Sequence, residues 1–147
     1  MCYKLDNIMM DIAIKMADLS KCVSKQVCCI LVKDNRIIST GINGTPAGYI
    51  NCCDKFPKLF NREEHHNWSN VHEIHAEINA LAFAAKTSGD VINCTAYTTL
   101  KPCMHCTKSL IVSGINRIVY KNEYDKNFED ILMNEFLESC GVECVKL

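Results

Sequence analysis

The sequence predicts a three-layer α/β/α domain with a mixed five-stranded sheet. Three observations carry this. Helical and strand-like apolar periods alternate along the chain in the order α-β-β-α-β-α-β-α-β. Only the first two strands are joined by a short turn, which makes that pair antiparallel; strands joined through helices run parallel. The chain has 147 residues, enough for one substantial core, so residues 1–147 read as a single domain.

Each element has its own signal. Ile8, Ile12, Met16 and Leu19 recur at helical spacing and predict a first helix from about Asp6 to Leu19. Val27 to Val32 is a β-branched apolar run, Lys33-Asp34-Asn35-Arg36 reads as a turn, and Ile37 to Ile42 returns, which makes a hairpin. Asn43-Gly44-Thr45-Pro46-Ala47-Gly48 has loop chemistry. A polar stretch from about Tyr49 to Asn70 is expected as a long loop, and loops of this length are functional or disordered. A helix from about Ile74 to about Lys86, a strand from Thr95 to Leu100 and a helix from Cys103 to about Gly114 come next. A strand over Arg117 to Tyr120, a helix over Phe128 to Ser139 and a strand over Val142 to Val145 complete the order. The last helix is expected to bury Phe128, Ile131, Leu132, Phe136 and Leu137.

Composition excludes several classes. Net charge is −1 with no basic block, so binding to a polynucleotide backbone is not expected from charge. No apolar run is long enough to span a membrane. The eleven cysteines would suit a secreted disulfide protein. The count is odd, however, and the first residues form an amphipathic pattern rather than a signal peptide. A reducing cytoplasm fits better, that of a host cell if the source is viral.

The chemistry lies in two segments, His75-Ala76-Glu77 and Pro102-Cys103-Met104-His105-Cys106. His75, Cys103 and Cys106 supply three zinc ligands, and catalytic zinc keeps the fourth position for water. Pro102 suits the first turn of a helix, which places Cys103 and Cys106 on one face. The positive end of that helix favours both thiolates. Zinc lowers the pKa of a bound water to about 7. Glu77 is the candidate to shuttle protons from that water. Residues two apart on an ideal helix face different ways, so this role requires His75 to sit in an irregular first turn. A structural zinc would need a fourth ligand, and His105 lies between the two cysteines on another face. A redox pair would not call for His75-Ala76-Glu77. The H-x-E…P-C-x-x-C order is that of the zinc nucleobase deaminases.

The chain resembles deoxycytidylate (dCMP) deaminases, most closely the bacteriophage type. The segments that carry the resemblance are Ser20-Lys21-Cys22, Ile37 through Gly48, Asn51-Cys52-Cys53-Asp54, Glu73-Ile74-His75-Ala76-Glu77, Thr99-Leu100-Lys101-Pro102-Cys103, and Ser113-Gly114-Ile115 through Tyr124-Asp125. The resemblance implies a cytidine-deaminase-like fold and zinc-dependent hydrolysis of dCMP to dUMP and ammonia, feeding thymidylate synthesis. It implies that Asn43 hydrogen-bonds the deoxyribose or base edge, that Ala76 and Tyr124 line the nucleotide pocket, and that Lys21 helps hold the phosphate. It also implies a second, structural zinc at Cys22, Cys52, His65 and Glu73, with Cys53 and His66 as adjacent alternatives. Relatives of this kind are hexamers activated by dCTP (with Mg2+) and inhibited by dTTP, with Gly41, Asn43 and Gly44 in the effector loop. Two departures bear on substrate range. Cys28-Cys29 replaces the usual Gly-Ala, and Cys28 is expected to narrow the pocket. Lys101 replaces a commoner Ser.

Three other readings compete. Deamination of dCTP or of a free nucleoside on the same scaffold turns on phosphate contacts that sequence does not reveal. Editing of a base within a polynucleotide calls for a basic surface, which the charge balance opposes. A non-catalytic zinc domain would have lost Glu77, and Glu77 is present.

Overall fold

The computed structural model describes residues 3–124 and 128–147, the side chains of residues 128–130 excepted. The elements are α1 (Tyr3–Ala17), β1 (Cys28–Lys33), β2 (Arg36–Ile42), α2 (Cys52–Lys55), α3 (Arg62–His72), α4 (Ala76–Lys86), β3 (Thr95–Leu100), α5 (Met104–Val112), β4 (Arg117–Asn122), α6 (Phe128–Ser139) and β5 (Glu143–Lys146). The sheet order is β2-β1-β3-β4-β5. β1 is antiparallel to both of its neighbours, while β3, β4 and β5 are mutually parallel. The sheet is therefore mixed and five-stranded, as the order of elements predicts. β2 and β3 run the same way, but β1 is inserted between them.

The hairpin turn places Asp34 and Asn35 at φ of 50° and 61°. Two left-handed residues match the right-handed strand twist, and Asp and Asn tolerate that region. Alternation along β1 then sorts the core. Cys29 and Leu31 face α4, α5 and α6, while Cys28, Ile30 and Val32 face α1. This is the three-layer arrangement, with α1 alone on one side of the sheet. Cys28 therefore packs in the α1 layer and does not narrow the site, contrary to the expectation from sequence.

Three further expectations need correction. The stretch from Tyr49 to Asn70 is not one loop, because α2 and most of α3 lie within it. The buried face of α1 is Asp6, Met9, Met10, Ala13 and Ala17, while Ile8 and Leu19 are exposed. The described part of α6 buries Met133 and Leu137 and leaves Ile131 and Leu132 exposed. Asp125 and the Phe128 side chain lie outside the described residues.

An acid sits on the inner face of α1 because the sheet supplies its partners. Arg117 donates to both Asp6 oxygens, at 2.8 and 2.9 Å, and the Tyr97 hydroxyl donates to Oδ1 at 2.6 Å. Arg117 Nε also donates to Glu143 at 2.6 Å. The network thus ties α1 to β3, β4 and β5. Its bidentate geometry is the strong form of a charge-assisted pair.

The Arg117 hydrogen bonds hold the Asp6 carboxyl below its ordinary value of 3.8, against the upward push of burial and with help from Tyr97. A lowered folded-state pKa contributes stability above the unfolded-state value and loses it as pH falls through the folded one. Asp6→Asn should cost about 3 kcal/mol at pH 7, because it removes the bidentate carboxylate that a half-buried Arg117 holds beside Glu143. In urea titrations between pH 7 and pH 3, the gap between wild type and variant should narrow as pH falls.

Candidate metal centre and active site

Two helices begin at one point. His75 is the N-cap of α4 and Cys103 the N-cap of α5, both with extended backbone. Neither side chain caps its own helix; both turn to a shared cluster with Cys106. Pro102 therefore precedes the N-cap instead of occupying the first turn. The Cys103 and Cys106 sulfurs lie 3.6 and 3.3 Å from His75 Nδ1. Zn–S bonds of about 2.3 Å and Zn–N bonds of about 2.0–2.1 Å imply tetrahedral N···S edges of roughly 3.5 Å. Donor chemistry and spacing both fit zinc with one position left over. His105 is exposed and outside the cluster.

Because His75 precedes the helix, Glu77 is free to share its side. Glu77 is 4% exposed; its carboxyl accepts from its own backbone N–H and lies beside the Cys106 sulfur. Burial pushes this carboxyl above its ordinary value, against those two contacts and the His75 charge. A carboxyl so placed readily holds a proton, as a general acid/base must. Cys103 is pushed down to about 3, chiefly by the hydrogen bond from Cys106, with His75 assisting against burial. The direction favours the thiolate, the ligating form.

A second cluster brings together Cys22, Cys52, His65 and Glu73, whose ligand atoms lie within 4.8 Å of one another. His65 Nε2 is 3.7 Å from the Cys22 sulfur and 3.2 Å from that of Cys52. Glu73 Oε2 accepts from Cys22 at 3.5 Å and from Ser69 at 2.5 Å. Glu73 Oε1 is buried with no hydrogen-bond partner among the described residues. An orphaned buried carboxylate oxygen beside two thiols and an imidazole is what a metal would satisfy. The adjacent Cys53 and His66 are exposed and outside the cluster.

Both clusters border a cleft of about 890 Å3. His75, Ala76, Glu77 and Cys103 line it, with Asn43 and Tyr124. The Asn43 amide is largely committed: Oδ1 accepts from the Ser20 hydroxyl and the Val27 N–H, and Nδ2 donates to the Lys25 carbonyl. Asn43 thereby shapes the segment from Ser20 to Val27, with one amide hydrogen still available. Tyr124 is half exposed, and the Lys25 ammonium lies 3.7 Å from its ring centroid.

Two expected positions fall elsewhere. Lys21 does not line the cleft but a smaller one of about 180 Å3 beside Gly44 and Thr45. Among the described residues, the lysines and arginines that face the cleft are Lys25, Arg62 and Lys101. Lys25 and Arg62 carry no sequence signal beyond an ordinary surface charge. Gly41 is a buried residue of β2, not part of an open loop. A Cβ there would overlap the Ala76 carbonyl and the Ala80 amide of α4. Gly44 belongs to a backbone bridge with Ile74.

The family model of the cytidine and deoxycytidylate deaminase zinc-binding region matches residues 3–122. The deoxycytidylate deaminase of Enterobacteria phage T4 is 37% identical, over 90% of this chain and 87% of its own. That of Mycobacterium phage D29 is 33% identical, over 80% and 94%. The crystal structure of dCMP deaminase from the cyanophage S-TIM5 in complex with dCMP and dUMP superposes with a TM-score of 0.80 at 30% identity, covering 100% of this chain and 99% of that one.

Gly41 lets the start of α4 approach the sheet, so it indirectly sets where His75 and Glu77 stand. Gly41→Ala should destabilise the fold by about 1–3 kcal/mol. It should also weaken zinc retention by the His75 cluster, as read by chelator competition alongside thermal unfolding.

Proposed function

The chain belongs to the cytidine and deoxycytidylate deaminase zinc-binding family, and we propose that it hydrolyses dCMP to dUMP and ammonia. The observation that carries this reading is the buried Glu77 carboxyl set beside the His75, Cys103 and Cys106 donors on the wall of an open cleft. His75, Cys103 and Cys106 would hold a zinc ion, which would acidify a bound water and so supply the nucleophile. Glu77 would take one proton from the attacking water and deliver it to N3 of the cytosine, then take the proton of the hydroxyl added at C4 and deliver it to the departing amine. Its burial raises the carboxyl pKa, which favours the protonated form that the acid steps use. The Ala76 N–H, at the first position of α4, has no intrahelical partner and is placed to donate to the base. The remaining Asn43 amide hydrogen suits a sugar hydroxyl, and the Tyr124 ring offers a stacking face.

The second cluster is read as a structural zinc site held by Cys22, Cys52, His65 and Glu73. The donor set and the orphaned Glu73 oxygen support this. The resemblance to phage-type relatives supports a hexamer regulated by dCTP (with Mg2+) and dTTP, acting in a cytoplasm to supply dUMP for thymidylate synthesis. The ten cysteines among the described residues are all free, in keeping with a reducing compartment. No helix among the described residues is long and apolar enough to cross a membrane.

Glu77→Gln should lower turnover by about 10²–10⁴-fold with zinc content unchanged. Ammonia release from dCMP, measured beside elemental analysis, checks this; near-wild-type turnover would remove Glu77 from the mechanism. Elemental analysis should also find two zinc ions per chain in wild type and one in Cys52→Ser. A single ion in wild type would refute the second site.

A further inference from the structure

Overall net charge is −1, yet the cleft concentrates cations. Among the described residues, its two lining carboxylates are committed, Glu73 to the second cluster and Glu77 beside the first. Lys25 and Arg62 line it from different segments, the loop before β1 and the start of α3. Among the described residues neither cation pairs with a carboxylate. The one partner of the Lys25 ammonium is the Tyr124 ring, and the Arg62 guanidinium has none. Lys101 is different: it is buried, and its ammonium lies 5.6 Å from the Tyr120 ring.

We propose that Lys25 and Arg62 form a two-cation clamp for the 5′-phosphate of the substrate, and that this clamp makes the enzyme select nucleotides over nucleosides. The proposal rests on the deaminase reading and deepens it. Each wall of the clamp is held by a structure already described. The Asn43 amide fixes the Lys25 carbonyl at 2.8 Å. His65, one turn along α3 from Arg62, belongs to the second cluster. The metal-binding lobe thus takes part in recognition by presenting the arginine fork to the cleft. A planar guanidinium reads a phosphate through paired N–H donors, while the ammonium adds a point charge. Lys25 also rests on Tyr124, so seating the phosphate and seating the ring against the nucleotide are coupled.

The test compares dCMP and deoxycytidine with zinc-loaded wild type, Arg62→Gln, Arg62→Lys and Lys25→Gln. Both kinetics and calorimetric binding are read, with inorganic phosphate as competitor. In Arg62→Gln and Lys25→Gln the ratio of kcat/KM for dCMP to that for deoxycytidine should fall about 10–100-fold. The loss should lie mainly in KM, and competition by phosphate should vanish. Arg62→Lys should recover part of the dCMP affinity. An unmoved ratio, or an equal loss for both substrates, would overturn the clamp. A wild type that binds dCMP more tightly than deoxycytidine but does not deaminate it would support the clamp and refute the deaminase reading.

Discussion

The site hangs on one backbone bridge. Gly44 and Ile74 exchange both of their amide hydrogen bonds, at 3.1 and 2.8 Å. That pairing holds three residues, Glu73, Ile74 and His75, in the extended gap between α3 and α4. Glu73 and His75 are both extended, as the C-cap of one helix and the N-cap of the next. Residues two apart on an extended chain project to the same side. One short span thus gives a donor to each cluster. The Gly44 end of the bridge continues from Asn43, which holds the segment carrying Cys22. Without this bridge neither donor set would have a fixed third or fourth member.

Around that span the chain places partial positive charge where the chemistry needs it. α4 and α5 both start at the catalytic cluster, so two helix N-termini converge there. Their exposed N–H groups favour thiolate and carboxylate forms. Burial acts the other way, and the Glu77 carboxyl shows which effect wins: desolvation leads, and the group is pushed up. At Cys103 the hydrogen bonds win and the thiol is driven down. Neighbouring groups of one site are thus pushed in opposite directions.

The sheet and the catalytic cluster are legible in the sequence because each has a local signature. The Thr95–Leu100 strand and the Phe128–Ser139 helix follow directly from apolar period, and His75, Cys103 and Cys106 from motif spacing. α3 escapes that reading for a physical reason. Its inward face carries His65 and Ser69, with Glu73 at its C-cap, donors to a cluster in place of apolar groups, so hydrophobic periodicity cannot find it. A signal was available all the same: Asn61 caps the helix by accepting from the Glu64 amide, the N-x-x-E start of a capped helix. The inner face of α1 is missed similarly, because Asp6 reads as surface until Arg117 is seen opposite it. Lys25 and Arg62 are illegible because the cleft wall they share exists only after folding.

The ties between α1 and the sheet also bear on the order of assembly. Asp6 and Arg117 are 111 residues apart, and Asp6 and Tyr97 are 91 apart. At roughly 5–20 residues per second, a ribosome takes on the order of 5–20 seconds to travel from one end of the Asp6–Arg117 pair to the other. Through that interval α1 has no complete sheet to lie on, and Met9, Met10 and Ala13 lack the cover of Tyr97 and Val119. α1 is made before the sheet it docks on, so its docking comes late. Until then, the nascent chain exposes the apolar surface that chaperones bind.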